Sequence, residues 1–293
     1  MNQPNLYHLQ YFITAARLGS VAAAAQALSV SQPAISQGIK KLEEIFECEL
    51  LIHSKNRFKI TPEGQLLLER SEGVFGALEN LKQGLKGLQG QVTGPLRIAT
   101  SSSAAQTTLP GVLTRFLKKH PEVRPLVSIG TALEIVNHVK SGRSEIGIVV
   151  DDGSVRGVSV QILHEGHFQC VASSRLNQEN IKHHFIATQE RPGAEELKKA
   201  YEKKYDELPH IKMEVENWEA IAEMARQGMG IGFIPDVIAS AWSGVKPVEE
   251  LEDIGRKITY KLMLIHSGEH QLSKQAQAFI EAVSSEDLGT PRS

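Results

Sequence analysis

Ser31, Gln32, Pro33, Ser36, Gln37 and Lys40 fall within ten residues and offer hydroxyl, amide and ammonium groups. On a helix, Ile35, Ile39, Leu42 and Phe46 would gather in one narrow arc and face a core. The opposite arc then carries Pro33, Gln37 and Lys40, flanked by Ala34, Ser36 and Lys41. Amides and hydroxyls of this kind read base edges in a major groove, and ammonium groups hold phosphates. The small residues between them permit close approach. Glu43 and Glu44 lie a turn further on, clear of such a contact. A solvated polar helix would show the same face, so the surrounding elements have to decide between the two readings.

Those elements form a compact series. Leu6, Leu9, Phe12, Ile13 and Ala16 recur at spacings of three and four, the pattern of an amphipathic helix over 6–18. Gly19 is placed to end it in the left-handed conformation, and Ser20 to cap the next helix with its hydroxyl. That second helix is mostly alanine (Ala22 to Ala25 and Ala27), which lets another helix cross it closely, and Leu28 and Val30 close the turn. The third opens at Ser31-Gln32-Pro33, where proline costs no intrahelical hydrogen bond. The tight helix–turn–helix spacing favours DNA over a solvated face.

Residues 50–60, LLIHSKNRFKI, read as a short hairpin with apolar ends and a basic tip, in which Lys55, Arg57 and Lys59 could lie against a phosphate backbone. An ordinary solvated turn is the other reading. Thr61-Pro62-Glu63-Gly64 starts a long helix, with threonine as cap and proline in the first turn. Val74, Leu78, Leu81, Leu85 and Leu88 follow at steps of four and three, and Leu67 and Ser71 extend the register backward. This heptad seam calls for a partner helix. Gly73, Gly76, Gly84 and Gly87 each cost about 1 kcal/mol of helix propensity, so the helix needs packing to persist. Residues 89–95, QGQVTGP, read as a linker.

From Leu96 onward strands and helices alternate at lengths that mean βαβ units and a parallel sheet. Strands are expected at 96–100, 124–130, 145–150, 167–173, 184–188, 211–217, 228–235 and 257–267. Helices are expected at about 108–120, 131–141, 194–205, 218–227 and 274–283. Ligands of such sheets bind beyond the C-terminal strand ends, near helix N-termini. That directs attention to Thr100, Ser101, Ser102 and Thr131, hydroxyls suited to a small polar or anionic molecule or, equally, to plain helix capping.

Composition limits the alternatives. Two cysteines, Cys48 and Cys170, make no disulfide framework and suit a reducing cytosol. Two small buried hydrophobes explain them better than a thiol switch. No secretory pattern opens the chain, and no apolar run approaches a membrane span, so the expected location is the cytoplasm. The net charge of −2 hides a basic head: residues 1–62 carry +2 and the remainder −4. Metal-ligand spacings, a nucleophile elbow, a P-loop and a dinucleotide fingerprint are absent, which excludes the common enzyme classes and implies no metal and no cofactor.

These residues resemble the LysR-type transcriptional regulators over essentially the whole chain. The match is carried by Gly19-Ser20, Ala24-Ala25, Leu28, the run from Ser31 to Ser36, Ile39, Leu42-Glu43, Thr61-Pro62 with Gly64, and the glycine-rich segment from Met224 to Pro235. The resemblance implies a multidomain α+β chain. Its parts would be a winged helix–turn–helix DNA-binding domain (1–60) and a linker or dimerisation helix (61–92). A two-lobed α/β effector domain like periplasmic binding proteins would follow, with lobe I from 93–163 and 268–293 and lobe II from 164–267. It also implies homodimers assembling to homotetramers on double-stranded promoter DNA, with a small-molecule effector in the interlobe cleft. By position, Ser31, Gln32, Pro33, Ser36 and Gln37 match the reading helix, with Lys40 on its backbone-facing side. Thr100, Ser101, Ser102 and Thr131 match effector positions of the first lobe, and Thr188 and Asn217 those of the second. Where the family usually carries an aromatic residue and then an arginine in the wing, this chain has Leu51 and His53.

Two functions compete. One is a ligand-responsive, sequence-specific DNA-binding regulator. The other is a small-molecule binding protein or enzyme whose N-terminal helices only oligomerise. An enzyme needs a catalytic constellation and a secreted receptor needs a signal segment; the sequence shows neither, and the basic helix face would go unexplained.

Overall fold

A computed structural model of the chain describes residues 3–54, 57–86, 92–151, 153–175, 184–188, 193–268 and 272–284. Two compact units emerge, one from residues 1–82 with 141–143 and one from 83–140 with 144–293.

The first unit begins with α1 (Leu6–Leu18), capped by the Asn5 side chain, which accepts from Tyr7 N at 2.8 Å. Gly19 ends it at φ 64°, a left-handed conformation that glycine adopts without steric cost. Ser20 caps α2 (Val21–Ala27) by accepting from Ala23 N at 3.2 Å. Ser31 caps α3 (Gln32–Phe46) in the same way from Ala34 N. The three helices close on Leu9, Phe12, Ala24, Ala25, Ile35, Ile39 and Leu42. Phe12, Ile35 and Leu42 are wholly excluded from water, each worth about 1.5–3 kcal/mol of burial. Gly38 lies where α1 presses closest, since a β-carbon there would meet the Tyr11 ring.

One expectation about α3 needs correction. Phe46 was placed in the core arc, yet it is 42% exposed, because it sits in the last turn beyond the final buried position, Leu42. Glu43, a turn beyond the exposed arc, accepts through Oε1 from Leu50 N at 2.9 Å and Leu51 N at 3.3 Å. The carboxylate thereby satisfies two backbone donors at the entry to the wing.

The wing is the antiparallel pair β1 (Leu51–Ser54) and β2 (Arg57–Ile60), with Leu51 opposite Ile60. The hydroxyl of Thr61 donates to Glu49 O at 2.7 Å and accepts from Gly64 N at 2.9 Å, capping α4 (Pro62–Lys86). Leu67, Leu68 and Phe75 of α4 pack on the helix–turn–helix core. The backward extension of the heptad through Leu67 and Ser71 therefore fails: Leu67 packs inward and Ser71 is buried. The outward stripe begins at Val74, 46% exposed, and continues through half-buried Leu78 to Leu81, 61% exposed. Leu85 is helical and Leu88 lies outside the described residues.

The second unit opens with β3 (Gly94–Thr100), so Gly94 and Pro95 already belong to a strand rather than to the linker expected there. Then come α5 (Ser102–Thr107), α6 (Leu109–Lys119), β4 (Val123–Ile129), α7 (Ala132–Lys140) and β5 (Ile146–Val150). The polar run after Thr100, ahead of the helix expected from about 108, forms α5, because Ser101 caps it from Ala104 N at 3.3 Å. The long strand β6 (Ser159–Ser173) leads to β7 (His184–Ala187), α8 (Ala194–Tyr205), β8 (His210–Glu214), α9 (Trp218–Arg226) and β9 (Ile231–Pro235). Finally come α10 (Asp236–Ala241), β10 (Val245–Pro247), α11 (Glu252–Gly255), β11 (Thr259–His266) and α12 (Lys274–Ser284).

The strands line up as β4-β3-β5-β11-β6-β9-β7-β8, with β10 on β6. The sheet is parallel only at its two ends: β3 pairs in parallel with β4 and β5, and β7 with β8 and β9. Between them β11 and β6 run antiparallel over residues 259–266 and 159–167, joining two βαβ halves. A uniformly parallel sheet, as the alternation suggested, is thus corrected by two long strands that carry the chain between the halves. Phe116 and Phe279 meet edge to face at 5.2 Å, and the Gln275 amide donates to Pro95 O at 2.8 Å, so α12 packs on the β3 side. Cys170 is buried, and burial pushes its thiol up to about 12, which suppresses thiolate chemistry there.

Candidate functional site

On α3, Ser31, Gln32, Pro33, Ser36, Gln37 and Lys40 are all exposed, while Ile35, Gly38, Ile39 and Leu42 are buried. Ser31 spends one lone pair on its capping bond, and the polar groups of Gln37 and Lys40 face solvent on one side of the helix. Lys41 and Lys59 are exposed as well. Lys55 lies outside the described residues, and Arg57 is described only as the strand residue opposite Ser54. His53 pairs with Phe58 in the same register.

In the second unit, the C-terminal ends of β3, β4 and β5 and the N-terminus of α9 border a cavity of about 310 Å³. Ser101, Ser102, Thr131 and Asn217 line it, as do Glu134, Asp151, Phe168, Glu216, Trp218, Glu219, Thr259 and Tyr260. Thr100 and Thr188 are buried and stand outside the lining, although the sequence pointed to them too.

The hydroxyls that the sequence singled out are largely engaged. Ser101 caps α5, and Thr131 forms a reciprocal cap with Glu134, whose Oε2 accepts from Thr131 N at 2.7 Å and from its hydroxyl at 3.0 Å. Those two bonds, the backbone one first, hold the Glu134 carboxyl below the usual carboxylate range. Asn217 caps α9 by accepting from Ala220 N at 2.8 Å. Ser102 keeps its hydroxyl for the cavity and for Gln106, whose amide donates to it at 3.2 Å.

Reading by residue type missed the aromatic and acidic lining. Phe168 stacks on Phe233 at 4.7 Å and meets Trp218 and Tyr260 edge to face at 5.9 and 5.8 Å. Behind it, the Tyr260 hydroxyl donates to Asp236 Oδ1 at 2.7 Å, and His167 Nδ1 lies 3.1 Å from Asp236 Oδ2. Burial, and then the bond to Asp236, keep the Tyr260 phenol protonated well above its ordinary range. One cluster thus connects the cavity wall, both crossing strands and the start of α10. Trp218 and Glu219 were visible only as the first turn of a helix, where an aromatic and a carboxylate carry no special signal.

The N-terminal part, residues 6–65, matches the family model "Bacterial regulatory helix-turn-helix protein, lysR family", and residues 89–287 match "LysR substrate binding domain". The chain belongs to the LysR family.

LysR-family proteins are DNA-binding transcriptional regulators with an effector-binding domain. Among relatives, "Uncharacterized HTH-type transcriptional regulator YraN" of Bacillus subtilis (strain 168) is 26% identical, over 92% of this chain and 94% of its own. The LysR-family regulator CbnR superposes at a TM-score of 0.70 with 21% identity, covering 96% of this chain and 98% of that one. Full-length CbnR complexed with its target DNA superposes equally well, at 0.70 and 20% identity over 96% and 99%. These likenesses show a winged helix–turn–helix unit followed by the two-lobed α/β unit of a LysR regulator. Among the described residues, no helix is long and apolar enough to cross a membrane.

Proposed function

We propose that this LysR-family regulator reads promoter DNA with the exposed arc of α3 and answers to a small molecule held in the cavity between the two halves of its second unit. The observation that carries the reading is the clean division of α3. Ile35, Ile39 and Leu42 are sealed against α1 and α2, while Gln32, Ser36, Gln37 and Lys40 present amide, hydroxyl and ammonium groups to solvent. CbnR, solved with its target DNA, supports the reading by likeness of fold.

The working assembly in this proposal is a homodimer built on the Val74–Leu78–Leu81 stripe, pairing further into a homotetramer, in the cytoplasm. The cavity acts as a binding site and not as a catalytic one. Its Ser101 and Thr131 hydroxyls are tied into helix caps. Fragments recovered by footprinting bound chromatin test the proposal when titrated with the protein in the presence and absence of fractionated cell extract. An active fraction should shift half-saturation for the wild type but not for Ser102→Trp, which fills the cavity. Failure to recover any preferred fragment would remove the DNA reading, and an unaltered response of Ser102→Trp would remove the cavity from it.

A further inference from the structure

Glu134, Asp151, Glu216 and Glu219 all border the cavity, and no lysine, arginine or histidine is among the described lining residues. Three of the four carboxylates are accounted for. Glu134 is held by Thr131, Asp151 accepts from Gly153 N at 2.9 Å, and Glu216 is exposed to water. Glu219 differs: it is only 6% exposed, and neither carboxylate oxygen has a hydrogen-bond partner among the described residues. A carboxylate sealed from water without a donor is unfavourable, and proteins keep such groups paired or hydrogen-bonded. Its place in the first turn of α9 favours negative charge but supplies no hydrogen bond.

Resting on the effector reading above, we propose that the cavity selects a small organic cation, a protonated amine, amidine or guanidinium, whose N–H groups pair with Glu219. The walls beside Glu219 suit the rest of such a molecule. Trp218, Phe168 and Tyr260 line the same space, and aromatic rings attract cations over their faces while covering an apolar stem. An anion would enter among four carboxylates. A metal ion is disfavoured, because no group of three metal-ligating side chains exists among the described residues. The hydroxyl of Ser102 and the backbone ends of β3 and β4, which also border the cavity, remain for a polar tail.

An isosteric charge series tests the assignment: benzamidinium, benzamide and benzoate share one planar shape and differ in charge. Calorimetric titration of the full chain should give benzamidinium at least a tenfold preference over both others, the weight of a charge-assisted hydrogen-bonded pair. Glu219→Gln, which preserves side-chain shape, should erase that preference, whereas Glu216→Gln should change it less than threefold, as expected for a solvated charge. The wild-type series decides the matter even if the Glu219 variant folds poorly. Preferential binding of benzoate or benzamide would overturn the cation assignment while leaving the cavity a binding site. Silence from all three would also overturn it, and the effector reading would then stand or fall on the promoter titration. A preference for benzamidinium that survives Glu219→Gln would overturn the role of that carboxylate.

Discussion

Gly64 packs directly against the carbonyl oxygen of Leu50, so closely that a β-carbon on residue 64 would sit far inside van der Waals contact with it. The obstacle is backbone, which cannot swing aside as a side chain can. Gly64→Ala should therefore lower stability by about 1–3 kcal/mol as an overpacking change, outweighing the roughly 1 kcal/mol of helix propensity it gains. Gly111 of α6 is the contrast, since a β-carbon there meets only the end of Arg115 at 3.5 Å. Gly111→Ala should raise stability by about 0.5–1 kcal/mol. Thermal melts of the two variants should move in opposite directions; a stabilised Gly64→Ala would refute the packing account.

The Tyr260–Asp236 bond gives a pH signature. A phenol whose pKa is raised on folding stabilises the native state fully below its unfolded value, near 10, and loses that contribution as pH climbs toward the raised value. Wild-type stability should hold through neutrality and fall above about pH 10. Tyr260→Phe should start about 1 kcal/mol lower at pH 7 and decline less steeply beyond pH 10. Parallel decline of both proteins between pH 9 and 11 would place the alkaline weakness elsewhere, with Tyr201 and Tyr205 the next groups to test.

For DNA, Lys40→Ala should weaken binding to specific and random duplexes alike and reduce the slope of log affinity against log salt by about one. Gln37→Ala should instead flatten the preference among base substitutions, by about 1–3 kcal/mol at one position of the site. Fluorescence anisotropy across a salt series separates the two effects. Two variants indistinguishable from wild type would take this arc of α3 out of the interface.

The apolar stripe of α4 should be covered in the working protein. Leu81→Lys places a charge at a position 61% exposed in the single chain, so it should leave the fold intact and lower the mass seen by light scattering. An unchanged mass would mean that the stripe is not the seam.

Much of the first unit was written in local signals. Gly19, Ser20, Ser31 and Pro33 act on their own neighbours within four residues, so caps and helix ends can be read without knowing what packs where. Phe46 and Leu67 show the limit of the helical wheel: it says which residues share a face but not how far along the helix the partner extends. The cavity was half legible for a related reason. Ser101, Ser102, Thr131 and Asn217 stand at strand-to-helix junctions, which the sequence marks. Glu219 and Tyr260 lie 41 positions apart and acquire meaning only when β11 runs across the sheet beside the start of α9. The antiparallel middle of the sheet was hidden too, because strand composition does not record direction.

The Glu43 carboxylate reaches from α3 to hold the amides of Leu50 and Leu51, at the start of the wing. Helix and wing are clamped into one rigid caliper. If α3 lies in the major groove, the wing cannot slide to suit a neighbouring groove that is too wide or too narrow. Operator sequences would then be sorted partly by how readily they bend to a fixed gauge, with preferences at base pairs that no side chain touches.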